Sequence, residues 1–203
     1  MRREVATPRE LETFFARPAA TVAPQLLGST VGCNGVTVRL TEVEAYAGVD
    51  DPASHASRGP TPRAAVMFGP PGRVYVYFVY GAHWAVNLVC HPDGVAGAVL
   101  LRAGEIIAGE ASARLRRGER PARVQLARGP GNLASALGVT GAMTGSTLWD
   151  GPLVWAPASR PGEHQVGPRV GVTGGADAPM RMWLPGEPSV STYKRSKRAR
   201  PTT

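Results

Sequence analysis

An Asn34-Gly35 pair, flanked on both sides by alternating runs, constrains this chain more than any other dipeptide in it. Asn-Gly is the strongest short signal for a tight β-hairpin, because both turn positions need positive φ. Thr30–Cys33 before the pair and Val36–Tyr46 after it therefore read as partner strands. In the longer run Val36, Val38 and Leu40 alternate with Thr37, Arg39 and Thr41, the period of a half-buried strand. Continued, that alternation puts Glu42, Glu44 and Tyr46 on the apolar side. A carboxylate there is costly unless it is partnered or placed for chemistry. His55 follows in the next loop, and Tyr75, Tyr77 and Tyr80 crowd residues 74–80. Acid, imidazole and phenol rings this close in sequence fit a reaction site. An ion-paired glutamate with strand-filling tyrosines fits the same residues, and the pattern leaves both open.

The remaining elements follow from local signals. Thr7-Pro8-Arg9-Glu10 is a capping box with proline at the first helical position, and Leu11, Phe14 and Phe15 form the buried stripe behind it. A second short helix is predicted over Thr21–Leu27. Residues 47–68 read as a long functional or mobile loop whose Arg58, Thr61 and Arg63 suit phosphate contacts, although composition alone favours a solvated surface. Arg73–Tyr80 and Trp84–Cys90 read as a hairpin with Tyr80 at its shoulder, where an exposed aromatic is a wedge or a partner contact. A strand over Gly97–Ala103, containing Arg102, is expected to pass into a helix over Gly104–Arg117. Gly129-Pro130-Gly131-Asn132 opens a helix through Leu137, with bare N–H groups at its start. Short strands are expected near Leu148, Leu153–Trp155, Arg169–Val172 and Met180–Leu184. Together these predict one α+β domain over residues 1–193 with a curved antiparallel sheet.

With 25 glycines and 19 prolines among 203 residues, the chain stays short of low-complexity composition. The net charge is +8, and residues 194–203 hold five of the cations with no acid, which predicts a disordered arm drawn to phosphate. No run is long enough for a membrane span and no signal peptide is expected. Cys33 and Cys90 read as buried free thiols of a cytoplasmic protein, and the four histidines lack ligand spacing, so neither metal nor cofactor is expected.

Thr-Glu-Val-Glu-Ala-Tyr at 41–46, Ser-His at 54–55, Met-Phe at 67–68, Tyr-Val-Tyr-Phe-Val-Tyr-Gly at 75–81, Asn87 and Val-Leu-Leu-Arg-Ala at 99–103 together resemble the alkyladenine (3-methyladenine, or N-methylpurine) DNA glycosylases. Gly129-Pro130-Gly131 and Arg169-Val170-Gly171-Val172 extend the resemblance, which runs from about residue 20 to 190. It implies a partly open barrel like the C-terminal domain of formyltransferases, with a protruding β-hairpin. It also implies a monomeric base-excision repair enzyme that flips an alkylated or deaminated purine from duplex DNA and hydrolyses its N-glycosidic bond, close to the bacterial nucleoid.

On that resemblance Glu44 would activate water, with Arg102 and the Val170 carbonyl helping to hold it. Tyr46, His55 and Tyr77 would stack on the flipped base, Asn87 would screen out guanine, and Tyr80 would fill the gap left in the duplex. Arg58, Thr61, Arg63 and Gly131 would meet the DNA backbone. Structural readings stand beside these: Arg102 as an ion-pair partner of Glu44, His55 as a loop cap, Asn87 as a hairpin brace. Ala64, Ala82, His83 and Asn132 depart from the family pattern, the first three bearing on DNA positioning and lesion range. Lysine occurs only at 194 and 197, so a Schiff-base lyase is not expected and the product would be an abasic site. A non-catalytic module for tRNA or single strands is the competing class. A carboxylate in the pocket counts against it, since it repels an anionic strand.

Overall fold

The computed structural model describes residues 7–79, 81–159 and 162–199. The capping box forms as read: the Thr7 hydroxyl accepts the Glu10 N–H, and the Glu10 carboxylate accepts the Thr7 N–H at 2.7 Å. It opens helix α1 (Pro8–Phe15), which buries Leu11 and Phe15 and leaves Phe14 against Trp155. Helix α2 (Ala19–Leu26) begins two residues earlier than predicted, burying Ala19, Val22, Ala23 and Leu26 on one stripe. The hairpin of β1 (Thr30–Cys33) and β2 (Val36–Tyr46) turns on Asn34 and Gly35 at φ 48° and 77°.

The other elements are β3 (Val74–Val79), β4 (His83–Val89), β5 (Ala98–Ala108), α3 (Glu110–Arg117), α4 (Pro130–Leu137), β6 (Val154–Ala156), β7 (Gln165–Gly167) and β8 (Arg181–Trp183). The strands join one open antiparallel sheet in the order β3-β4-β5-β2-β1-β6, with β8 also on β2 and β7 on β8. Strand β2 is long enough to serve three partners: β1 along residues 36–39, β8 along 42–44 and β5 along most of its length. Four helices accompany the sheet among the described residues, and α4 buries Leu133, Ala134, Ala136 and Leu137. The architecture is thus a single α+β domain.

Three expectations are corrected. The helix predicted from Gly104 starts at Glu110, and β5 continues to Ala108, so Glu105 stands on a strand opposite Arg39. Gly104 is there for close approach: a Cβ at that position would lie 2.4 Å from the Arg39 carbonyl oxygen. No strand forms at Leu148, where Thr147 makes only an isolated bridge to Arg73, nor over residues 169–172. A strand unforeseen in the sequence, β7, precedes that loop instead.

The loop over residues 47–68 is built from three short 3-10 turns above a small cluster of Ala56, Ala64, Met67, Tyr75, Val89, Ala96 and Ala98. Ala64, a departure assigned above to DNA positioning, is fully buried there and acts on packing. The first residues of the basic C-terminal segment touch the fold: the Lys194 carbonyl accepts the Gly171 N–H at 3.2 Å, and Arg195 pairs with Asp177. Cys33 and Cys90 are free and buried. Among the described residues no helix is long and apolar enough to cross a membrane, and no cluster of three metal-ligating side chains occurs.

Candidate active site

The site exists because β2 breaks its own alternation. Leu40 pairs with Gly104 and Glu42 with Ala103, leaving Thr41 as an extra residue; Val43 then pairs with Leu101, leaving Arg102 extra on β5. Such irregularities shift which side chains face the core. Val36, Val38 and Leu40 belong to the main core, and beyond the bulge Val43 and Ala45 take over. Glu42, Glu44 and Tyr46 are therefore on the opposite face, not on the apolar side as the unbroken pattern predicted.

On that face Tyr75, Asn87, Leu100 and Glu44 lie in one row across β3, β4, β5 and β2. All four line a cavity of about 290 Å³, joined by Tyr46, His55, Tyr77, Arg102, Pro130 and Val170 among others. That volume is at the small end of the range for small-molecule sites, roughly 300–1,000 Å³.

Glu44 is 0% exposed yet lines the cavity, so it meets the cavity's occupant rather than bulk solvent. Its Oε1 accepts the Val170 N–H at 2.8 Å and its Oε2 accepts the Tyr46 hydroxyl at 2.9 Å. Arg102 Nη1 stands 3.5 Å from Oε1. Burial pushes the carboxyl above its usual range, against the pull of Arg102, the Val170 N–H and the Tyr46 hydroxyl. Arg102 binds more closely to Glu42, its Nε donating at 2.9 Å. Val170 reaches the acid through its N–H, a contact separate from the water-holding role that the resemblance implies for its carbonyl.

The aromatic wall is continuous. His55 meets Tyr77 edge-on at 4.5 Å, and Tyr75 and Tyr77 lie 5.4 Å apart. His55 Nδ1 is 2.9 Å from the Tyr75 hydroxyl. Burial raises the Tyr75 phenol and lowers the His55 imidazole to about 4, with Arg63 adding to the second shift. The simplest assignment has Tyr75 donating to a neutral ring whose Nε2 carries the proton. In an NMR titration His55 should stay neutral through pH 6 and protonate near pH 4, and a midpoint near the ordinary 6.5 would contradict this environment. The folded value is depressed, so stability present above pH 6.5 declines as pH falls towards 4.

The other predicted residues are dispersed as follows. Asn87 lines the cavity while its Nδ2 braces the hairpin at the Tyr75 carbonyl, 3.0 Å away. Arg58, Thr61 and Arg63 line an adjoining groove with His55, Gly171 and Thr173, and the Arg63 guanidinium covers the Tyr77 ring at 5.0 Å. Gly131 does not line the cavity; a Cβ there would come within 2.9 Å of His83 Cβ, so it lets the hairpin approach α4. Tyr80 is outside the described residues, while its neighbour Val79 lines the cavity.

Three participants were given no role in the sequence reading. Tyr75 was noted there among the crowded tyrosines and Arg169 within the motif at 169–172, whereas nothing pointed to Asp51. Arg169 donates to both Asp51 oxygens and to the Ala45 carbonyl, and its guanidinium lies 4.7 Å from the Tyr46 ring. Burial alone would raise Asp51, but Arg169 and the Ala53 and Ala47 N–H groups hold it below the usual carboxylate range.

The cavity thus joins a sheltered acid to tyrosines and a histidine, and Arg58 and Arg63 line the adjoining groove. The chain belongs to the methylpurine-DNA glycosylase (MPG) family, which matches residues 13–188. It is similar to a Frankia casuarinae protein, 52% identical over 202 residues covering 92% of this chain and 94% of the relative. A Cutibacterium acnes protein is 56% identical over 185 residues, covering 87% and 96%, and one from Mycobacterium leprae is 49% identical over 184 residues, covering 87% and 86%. Each is named "Putative 3-methyladenine DNA glycosylase". Family membership makes this chain a DNA glycosylase of DNA repair.

Proposed function

We propose that the enzyme extrudes an alkylated or deaminated purine, of the 3-methyladenine, 7-methylguanine and hypoxanthine class, into this cavity and hydrolyses its N-glycosidic bond. The observation that carries the reading is the Glu44 carboxylate, held by Val170 and Tyr46 on the wall of an aromatic cavity. Extrusion costs roughly a few kcal/mol, and stacking on an aromatic returns about 1–3 kcal/mol per base. Tyr46, His55 and Tyr77 supply those rings. Tyr80 fills the vacated position in the duplex, and Arg58, Thr61, Arg63 and Gly131 meet the sugar-phosphate backbone. Asn87 stands against the 2-amino group of guanine.

In the reaction Glu44 takes a proton from water, Arg102 and the Val170 carbonyl hold that water, and its oxygen bonds to C1′. The C1′–N bond breaks and its electron pair leaves with the purine. A cationic 3- or 7-alkylpurine departs as a neutral base without an acid, whereas hypoxanthine needs a proton. Water is the nucleophile on this reading: among the described residues Lys194 meets the Gly171 loop through its backbone carbonyl, and neither lysine lines the cavity.

Duplexes carrying 3-methyladenine, 7-methylguanine or hypoxanthine test this directly. Released base and strand scission only after alkali are expected, with no protein–DNA adduct trapped by borohydride. Scission without alkali, or a trapped adduct, would replace water with an amine nucleophile; failure to release any of the bases would remove the reading.

A further inference from the structure

Glu42 is fully buried beside the site, and an ionised carboxylate there needs several donors. It has four: Arg102 Nε at 2.9 Å, Arg181 Nε at 2.6 Å, the Ser191 N–H at 2.8 Å and the Ser191 hydroxyl at 2.9 Å. The Ser191 Oγ also accepts from Arg102 Nε at 3.2 Å, closing a ring of Arg102, Glu42 and Ser191. Ser191 lies past the end of the family match at residue 188, on a segment with no regular structure. That segment is nevertheless fastened along its length. The Ser189 hydroxyl lies 2.9 Å from that of Thr41, the bulge residue, and the Val190 carbonyl accepts Arg128 Nε at 2.9 Å. The Ser191 carbonyl accepts Arg181 Nη2 at 2.8 Å, and the Lys194 carbonyl holds the Gly171 N–H beside Val170.

The geometry points to residues 189–194 as a strap that completes the active site, with Ser191 the positioning residue that, through Glu42, sets how far Arg102 reaches towards Glu44. This rests on the proposed role of Glu44 and Arg102. Arg102 stands between two carboxylates, 2.9 Å from Glu42 and 3.5 Å from Glu44. The Ser191 hydroxyl supplies Glu42 with a donor, so Arg102 is not drawn wholly onto Glu42 and can still serve Glu44 and the attacking water. Without that hydroxyl, Glu42 has one donor fewer and pulls Arg102 away from Glu44.

Single-turnover excision by Ser191→Ala should fall roughly tenfold, the rate equivalent of one charge-assisted hydrogen bond, with lesion-duplex affinity unchanged. The acid limb of its pH–rate profile should also move to higher pH. Glu44 is faced by Arg102 from β5, Glu42 and Tyr46 from β2, Tyr77 from β3, and Arg169 and the Val170 N–H from the loop, and of these Arg102 does most to hold its pKa down. Ser191→Thr keeps the hydroxyl and should recover most of the rate. Should the alanine variant not fold, Ser191→Cys, with only a weak S–H donor, carries the same comparison. A wild-type rate and an unmoved acid limb in Ser191→Ala, with Glu44→Gln inactive, would overturn the strap alone. An equal loss in Ser191→Thr would overturn it as well. Turnover by Glu44→Gln would remove the reading beneath it.

Discussion

Glu44→Gln is expected to lower the single-turnover rate of excision by about 10²–10⁴, the usual contribution of a positioned general base, while lesion-duplex affinity stays within a few-fold of wild type. The amide preserves the shape: its oxygen can still accept the Val170 N–H, while its NH2 can donate to the Tyr46 oxygen, so what it removes is the site that takes the proton. Near-normal turnover would mean that the water is activated elsewhere. The same substitution has a stability signature. Burial holds the Glu44 pKa above its unfolded value. Its contribution to stability is therefore fully present below the ordinary carboxylate range and is lost as pH rises through the raised value. Above that raised value the wild type carries a buried charge that the glutamine variant does not. The melting temperature of Glu44→Gln relative to wild type should therefore rise as pH climbs from the ordinary carboxylate range through the raised value, and a difference independent of pH would contradict the burial argument. For activity the sign is reversed: only ionised Glu44 accepts a proton, so the acid limb should lie above the ordinary carboxylate range.

The second large effect is expected at Arg169. Its side chain is 1% exposed and meets Asp51 through two nitrogens, with a third hydrogen bond to the Ala45 carbonyl. Removing one partner of a buried pair strands the other and costs about 3–5 kcal/mol. For a chain of this size each kcal/mol is worth roughly 2–4 °C, so Arg169→Ala should melt roughly 6–20 °C lower. Arg169→Met with Asp51→Leu should regain much of that stability, because apolar replacement of both partners leaves no stranded charge. It should not regain the excision rate. Arg169 also ties the loop that presents the Val170 N–H to Glu44 onto strand β2, and methionine cannot make that tie. Recovery of stability and rate together would show that the pair serves the fold alone. Arg169 Nε is buried with no partner among the described residues, a cost that accompanies this double engagement.

Much of the architecture was legible because its causes are local. The capping box at Thr7, the Asn34-Gly35 turn, the hairpin of β3 and β4 and the Gly-Pro start of α4 each follow from conformational preferences within a few residues. Tyr46, His55, Tyr77 and Glu44 were similarly visible as an unusual density of chemistry near one strand, and the structure gathers them on one cavity. The reading failed where glycine has two meanings. At Gly104 it looked like the break before a helix, but it admits the Arg39 backbone in the middle of a strand pair.

By itself, then, the sequence determined the two hairpins, the starts of α1 and α4 and the residue types available for catalysis, because these depend on neighbours along the chain. It could not determine which way Glu44 points, since that follows from an extra residue at Thr41 and another at Arg102 that appear only when two strands settle their register. Nor could it supply the partners that hold the site. Arg169 comes from 118 residues beyond Asp51 and Ser191 from 149 beyond Glu42, separations at which no periodicity survives. Buried charge drove both choices: each carboxylate had to find donors wherever the folded chain could bring them.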